Sequence, residues 1–245
     1  MQTTVAVIEN VDSRRKTLKI GFWSAILTAV FTLVTFALAI TALPISGPNC
    51  QSNCVAYPYS NVASQIPHDF IWMYPALVPP LLFVILVVCI HQFAPASSKL
   101  YSQIGLSFAV MYAVLISIDY YIQLVVVQPS ILRGEMDGLA PISQYNPHGL
   151  FIALEDLGYL MLGIAFFFFG AVFAGRTQLE RAIRWLFTIS SLLVLATFVL
   201  FHLIYGYDLE YRFEVLVISI DWLTLIVEGI LLSILFRRNE QSQPI

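Results

Sequence analysis

Six long apolar stretches constrain this chain more than any other feature of its sequence. A helix needs about 20 mostly apolar residues to cross a hydrocarbon core about 30 Å thick, because each residue adds about 1.5 Å. Strands with open edges would leave backbone groups unpaired in lipid. We therefore predict an all-α, polytopic integral membrane protein with a six-helix transmembrane bundle. The predicted spans cover about 21–43, 70–93, 100–128, 150–174, 183–205 and 213–236.

The composition excludes an ordinary soluble domain. Of the 245 residues, 59% are hydrophobic and 11% are charged, whereas soluble domains carry about 25% charged residues. So few polar side chains cannot cover a protein surface in water, and the lipid bilayer is therefore the first predicted partner. The net charge is −3 and the basic residues are scattered, so the sequence gives no support for nucleic-acid binding.

The distribution of Lys and Arg predicts the orientation of the bundle. Of the 12 basic residues, ten lie before the first span, after the last span, or in the connections that follow the second and fourth spans. Only Arg133 and Arg212 lie in the other connections. Positively charged connections stay in the cytoplasm, so both termini are predicted to be cytoplasmic. The membrane is predicted to be the plasma membrane. The predicted organisation is a tail at 1–18, one transmembrane domain at 19–238 and a second tail at 239–245.

The connections on the outer side are predicted to be irregular loops. They cover about 44–69, 129–149 and 206–212. The first two contain several Pro and Gly residues and are expected to pack together over the bundle. Cys50 and Cys54 lie in the first loop, where an oxidising exterior favours a disulfide. A redox dithiol is an alternative, although the spacing is not Cys-x-x-Cys, and a metal-binding pair that recruits His68 is another.

Ionisable groups inside the spans are the main candidate functional residues, because each costs several kcal/mol in lipid unless it is paired or hydrated. The carboxyl groups at membrane depth are Asp119, Glu155, Asp156, Asp221 and Glu228. No Lys or Arg is predicted at the same depth to neutralise them. His202 is the one histidine predicted to lie near their level, where it would modulate them or serve only as a packing residue.

Further polar side chains share helix faces with these acids. They are Tyr112 and Gln123 with Asp119, Tyr159 with Glu155, and Thr224 with Asp221 and Glu228. The outer half of the second span contains Pro75, Pro79 and Pro80. Proline removes backbone donors, so a hinge or unwound segment is predicted there, and such backbone is tolerated at depth only against protein or water. Together these features predict a polar cavity that opens to the outside.

The leading functional hypothesis is a small carrier or ligand-binding protein that holds a cation, protons or a small molecule in this acidic cavity. No catalytic residue, metal site or cofactor is predicted, because no motif of an ATPase, serine hydrolase or zinc protease occurs. A second hypothesis is an accessory or structural subunit with membrane-protein partners, in which the acids only link helices. A third is a membrane enzyme that acts on a lipid or isoprenoid, with carboxyl groups as general acid and base. An apolar cavity that opens laterally between helices would favour this enzyme over a carrier.

Overall fold

Helices supply the regular structure of the protein. The computed structural model describes residues 2–42 and 45–242, and these two ranges contain no strand. The α-helices are α1 (Gln2–Ala39), α2 (Met73–Ala76), α3 (Val78–Phe93), α4 (Lys99–Ile122), α5 (Gln128–Arg133), α6 (Leu150–Gly170), α7 (Gln178–Tyr205) and α8 (Tyr211–Gln241). A π-helical segment, Gln123–Val127, joins α4 to α5.

Six helical segments are long and apolar enough to cross a membrane, which confirms the predicted number of spans and indicates an integral membrane protein. They are Asp12–Ala39, His68–Phe93, Ala96–Arg133, Leu150–Gly170, Gln178–Tyr205 and Tyr211–Gln241. Most of the predicted N-terminal tail is helical, since α1 begins at Gln2. Residues 43 and 44, where the first span was predicted to end and the first loop to begin, lie outside the described residues, as do 243–245 of the predicted C-terminal tail.

The outer surface of the bundle is strongly apolar. Leu203 is 80% exposed and Trp185 is 59% exposed. In water such side chains would form an aggregation-prone patch, whereas lipid tails are as apolar as leucine itself. The helices differ in how far they face outwards, because only 22% of the most apolar stretch of α7 is buried, against 56% in α6. The helix α6 is therefore central and α7 is peripheral.

Small residues let the helices approach closely. The helix α1 packs against α3 and α8, and α6 packs against α4, α7 and α8. A Cβ atom added at Gly229 of α8 would lie 2.6 Å from the backbone oxygen of Ala25 on α1. A Cβ atom added at Gly163 of α6 would lie 2.6 Å from Val194 on α7. Both glycines therefore set the distance between neighbouring helices.

Two of the spans are irregular in their backbone. In the second span the helix is interrupted at Leu77, between α2 and α3, which is where the three prolines were predicted to disturb it. In the third span the π-helical segment ends at Val127, two residues before Pro129. Proline has no backbone N–H to donate to the preceding turn, and π-helical segments of this kind recur at functional sites.

The longer connections lie together at one end of the bundle, here named the loop end. The described residues of these connections are 40–42 with 45–72, 134–149 and 206–210, whereas the opposite end has the short connections 94–98 and 171–177. Cys50 and Cys54 at the loop end are joined in a disulfide, as predicted. The remaining cysteine, Cys89, is buried and free.

Candidate functional site

A cavity of about 280 Å³ lies at the loop end, between the end of α1, the start of α8 and the two long loops. Its walls are mostly apolar, and include Phe36, Trp72 and Trp222. Two carboxyl groups, those of Asp69 and Glu214, also line it, and no Lys, Arg or His does so among the described residues. The sequence predicted a polar cavity. The walls are mostly apolar instead, because the acids predicted from the sequence do not line the cavity.

Glu214 on the cavity wall is backed by Glu155 of α6. The two carboxyl groups lie within hydrogen-bonding reach of each other. Each nevertheless has an Oε2 atom that is buried and receives no hydrogen from any donor group. Two bare carboxylates offer only acceptor atoms, so this contact needs a proton to become a hydrogen bond.

A chain of hydrogen bonds leads to Glu155 from the opposite side. Tyr120 donates to Glu155 Oε1 at 2.6 Å. Because the Tyr120 proton is used there, Tyr159 donates to the Tyr120 oxygen at 2.9 Å, and Trp222 Nε1 donates to the Tyr159 oxygen at 2.9 Å. Every donor in this chain therefore points towards Glu155. Tyr120 and Tyr159 are at most 1% exposed, so the chain is screened from solvent.

No basic side chain within the described ranges forms an ion pair with these interior acids. Arg212 instead pairs with Glu210 at 2.7 Å on the surface of the loop end. Asp119 and Asp156 lie close enough to Glu155 to interact with its charge. The interior acids are thus a concentration of negative charge without a basic partner among the described residues. On the cavity wall, Asp69 differs from them, because His68 Nδ1 lies 2.9 Å from its Oδ1 atom.

The two long loops cover the cavity and are tied to each other. Tyr145 donates to Asp69 Oδ2 at 3.1 Å, and its backbone oxygen accepts a 2.5 Å hydrogen bond from Ser46. Tyr211, at the start of α8, donates to the backbone oxygen of Gln144. Burial raises the pKa of the Tyr145 hydroxyl, and the negative charge of Asp69 raises it further. Tyr145 therefore remains a neutral donor at physiological pH.

Gln123 anchors the second loop from the π-helical segment. Its Nε2 atom donates to the backbone oxygen of Ile142 at 2.6 Å, and its Oε1 atom accepts from the backbone nitrogen of Gln144 at 3.1 Å. The side chain is 1% exposed. The sequence placed Gln123 among the ligand-binding residues. The structure gives it the role of holding the loop that covers the cavity.

Two further acids lie deeper on α8. Asp221 and Glu228 follow Glu214 at steps of seven residues, which puts them about 10 Å and about 20 Å further along the helix. Both are at most 2% exposed, and neither oxygen of the Asp221 carboxyl group has a hydrogen-bond partner among the described residues. Tyr112 lies near Asp221. Thr224, between the two acids, donates to the backbone oxygen of Ile220 and lies 2.6 Å from the Ser190 hydroxyl.

The predicted residues therefore divide into groups. Glu155, Tyr159 and Asp119 gather behind the cavity, whereas Asp221, Thr224 and Glu228 lie further along α8. Tyr112 lies between the two groups, because its ring packs 5.7 Å from that of Tyr159 and it also lies near Asp221. His202 joins neither group, because it is exposed at the end of α7, where its ring lies against Phe198. Pro75, Pro79 and Pro80 shape the second span but do not line the cavity.

Several residues of the site were missing from the predicted set. They are Glu214, Asp69, Tyr120, Trp222 and Tyr145. Glu214 continues the seven-residue spacing of Asp221 and Glu228 and could have been included on that signal. Tyr120 and Trp222 each directly follow a predicted acid, but neighbouring positions on a helix point about 100° apart. Nothing in the sequence indicates that Asp69 and Tyr145, which are far apart in the chain, form a hydrogen bond.

Comparison of the chain with protein-family models, with curated proteins and with solved structures finds no match.

Proposed function

We propose that the protein is a membrane carrier or ligand-binding protein that takes up a small organic cation with an apolar body. The observation that supports this proposal best is the cavity, which combines apolar walls with the Asp69 and Glu214 carboxyl groups and has no basic side chain among its described lining residues. An apolar body would fit against Trp72 and Trp222, and a positively charged head would lie against Glu214. Aromatic faces also attract cations.

The size of the cavity limits the ligand. Small-molecule sites typically occupy roughly 300–1,000 Å³, and 280 Å³ lies just below that range. A primary alkylammonium ion of moderate length is therefore a better probe than a bulky quaternary cation. Within the described residues, no group of three or more His, Cys, Asp or Glu is arranged to hold a metal ion, which favours an organic cation over a divalent metal.

We further propose that the loop end faces the outside of the plasma membrane and that both termini are cytoplasmic. Ten of the 12 Lys and Arg residues lie towards the other end of the bundle, eight of them within α1, α7 and α8, as expected for its cytoplasmic side. The Cys50–Cys54 disulfide lies at the loop end, and disulfides persist in oxidising surroundings. These two observations are independent of each other, and both support uptake from the exterior.

A binding experiment tests the proposed ligand class. The fluorescence of the purified protein would be titrated with n-alkylammonium ions from ethyl to hexyl, and with the n-alcohols of the same lengths, because Trp72 and Trp222 line the cavity. We expect the ammonium ions to bind at least about tenfold more tightly than the alcohols, a difference of about 1.4 kcal/mol. Affinity should rise with chain length until the cavity is filled.

Two variants provide the controls. Glu214→Gln keeps the shape of the side chain but removes its charge, and should weaken alkylammonium binding by about tenfold or more. Glu135→Gln removes a charge from an exposed position at the same end of the bundle and should leave binding unchanged. Equal affinity for alcohols and ammonium ions, or an unchanged affinity in Glu214→Gln, would refute the proposal.

A membrane enzyme is the second candidate, and one feature of the cavity favours it. Ile40 and Val215 line the cavity and are also 62% and 47% exposed, so the cavity reaches the apolar outer surface between α1 and α8. A lipid or isoprenoid could enter there and meet the paired carboxyl groups as general acid and base. Proteoliposomes in ²H₂O that contain an isoprenoid alcohol would test this activity. Deuterium appearing on carbon in the wild type but not in Glu214→Gln would favour the enzyme.

A further inference from the structure

We propose that Glu155 and Glu214 hold one proton between them, and that a cation entering the cavity displaces it, so that the protein exchanges a cation for a proton. The proposal rests on the proposed binding of a cation at Glu214. It adds how the bound cation changes the protonation of the two carboxyl groups.

The first step is the contact between the two carboxyl groups. They come from different helices, α6 and α8, and lie within hydrogen-bonding reach of each other. Two carboxylates at that distance in a site of low dielectric constant would repel strongly, whereas one shared proton turns the repulsion into a hydrogen bond. The buried Oε2 atoms of both residues receive no hydrogen from any other group, so the shared proton satisfies them.

The second step is that no other group can neutralise the pair. The titratable side chains nearest to it are Asp119 and Tyr120 on α4, Asp156 and Tyr159 on α6, and Tyr211 at the start of α8. The apolar part of α1 carries no charged residue, and the one histidine near that end of α7, His202, is exposed. The three aspartate and glutamate neighbours of Glu214 only add negative charge. Asp69, the other carboxyl group on the cavity wall, has His68 as its own partner, and Arg212 pairs with Glu210. Among the described residues, a proton is thus the one positive charge available to the Glu155–Glu214 pair.

The third step is the exchange itself. Glu214 lines the cavity, whereas Glu155 lies behind it and is 0% exposed. When a cation reaches Glu214, the shared proton leaves to water at the cavity, and both carboxyl groups are then ionised. Tyr120 donates to Glu155 at 2.6 Å and stabilises the charge that remains there. One positive charge enters and one leaves, so the net charge of the site is conserved.

Linkage gives this exchange a measurable signature. A ligand that displaces one proton binds about tenfold more weakly for each unit by which the pH falls, as long as the pair is protonated before binding. A cation that merely joins an ionised Glu214 shows no such dependence. The proton count and the pH dependence are therefore two readouts of one event.

The experiment measures proton release on binding. Purified protein in a weakly buffered detergent solution with a pH-indicator dye would be mixed with n-pentylammonium near neutral pH. We expect about one proton released for each cation bound, and an affinity that rises about tenfold per pH unit over the titration range of the pair. In the Glu155→Gln variant, no second carboxyl group shares the proton with Glu214. Cation binding should therefore persist, but with well below one proton released per cation. Glu135→Gln, which alters an exposed loop residue, should behave as the wild type does.

A second variant keeps the test valid if Glu155→Gln does not fold. Tyr120→Phe removes the donor that stabilises the charge on Glu155, so binding at neutral pH should weaken several-fold while about one proton is still released per cation. Cation binding without proton release would overturn the exchange and leave the proposed function standing. Absence of any cation binding would overturn both.

Discussion

The hydroxyl group of Tyr120 on α4 donates a 2.6 Å hydrogen bond to Glu155 on α6, and both side chains are fully buried. A donor to a buried carboxyl group contributes more than an ordinary hydrogen bond, about 1.5–3 kcal/mol. Tyr120→Phe should therefore destabilise the protein by about that amount.

Thermal unfolding in detergent measures this effect. The matched control is Tyr121→Phe, at the next position on the same helix, where the side chain is 58% exposed. Loss of this hydroxyl group should lower the free energy of unfolding by less than about 0.5 kcal/mol. Equal melting temperatures for the two variants would show that the Tyr120 hydrogen bond does not stabilise the fold.

Substitutions of the three acids of α8 should have different effects on cation binding and on transport. Glu214 lines the cavity, whereas Asp221 and Glu228 do not. Asp221→Asn and Glu228→Gln should therefore leave alkylammonium binding within about twofold of the wild type. The same substitutions should abolish proton or cation flux in proteoliposomes, because the deeper acids lie on any route along α8 towards the opposite end. Undiminished flux in both variants would assign Asp221 and Glu228 a purely structural role.

The hydrogen bonds of Gln123 should control the mobility of the second loop. Gln123→Leu removes both bonds to the backbone at Ile142 and Gln144, leaving buried peptide groups unpaired at a cost of about 1–3 kcal/mol. Trypsin should then cleave faster after the exposed Arg133, where this loop begins. Gln103→Leu changes an exposed residue on the same span and should cleave at the wild-type rate. Unchanged cleavage in Gln123→Leu would show that the loop is held by other contacts.

Close packing of α1 against α8 makes Gly229 intolerant of a side chain. A Cβ atom there would lie 2.6 Å from the Ala25 backbone oxygen and 2.8 Å from the Ala29 Cβ atom. Because backbone cannot move aside as a flexible side chain can, Gly229→Ala should destabilise the protein by about 1–3 kcal/mol, measured by thermal unfolding. Val227→Ala, on the exposed face of the same helix, should have a much smaller effect. A stable Gly229→Ala protein would mean that the two helices can separate at little cost.

Labelling with a membrane-impermeant maleimide tests the proposed orientation. Cys89 is buried, and Cys50 and Cys54 are bonded to each other, so the wild-type protein should label weakly. Glu135→Cys places an exposed thiol at the loop end and should label in intact cells. Ser97→Cys places one in the connection at the opposite end and should label only after the membrane is permeabilised. The reverse pattern would invert the proposed topology.

The sequence by itself indicated the six long apolar helices, the gathering of the longer loops at one end of the bundle and the pairing of Cys50 with Cys54. Each depends on local information: an apolar length, the order of the connections or a short spacing between cysteines. A stretch of about 20 apolar residues has one stable form in a bilayer, since only a helix pairs all its own backbone groups. The acids were found for a similar reason, because lipid excludes charge and any carboxyl group within a span therefore stands out.

Only the tertiary structure decided which of those acids meet. The rotation of each helix about its axis fixes its inward face, and in a membrane the sequence records that rotation weakly, because lipid and protein interior are both apolar. His202 was expected near the acids, yet it faces outwards, while Glu214 and Tyr120 both turn towards Glu155. The apolar character of the cavity has the same origin. Its walls come from α1, α8 and two distant loops, and their arrangement depends on packing between segments that no local pattern relates.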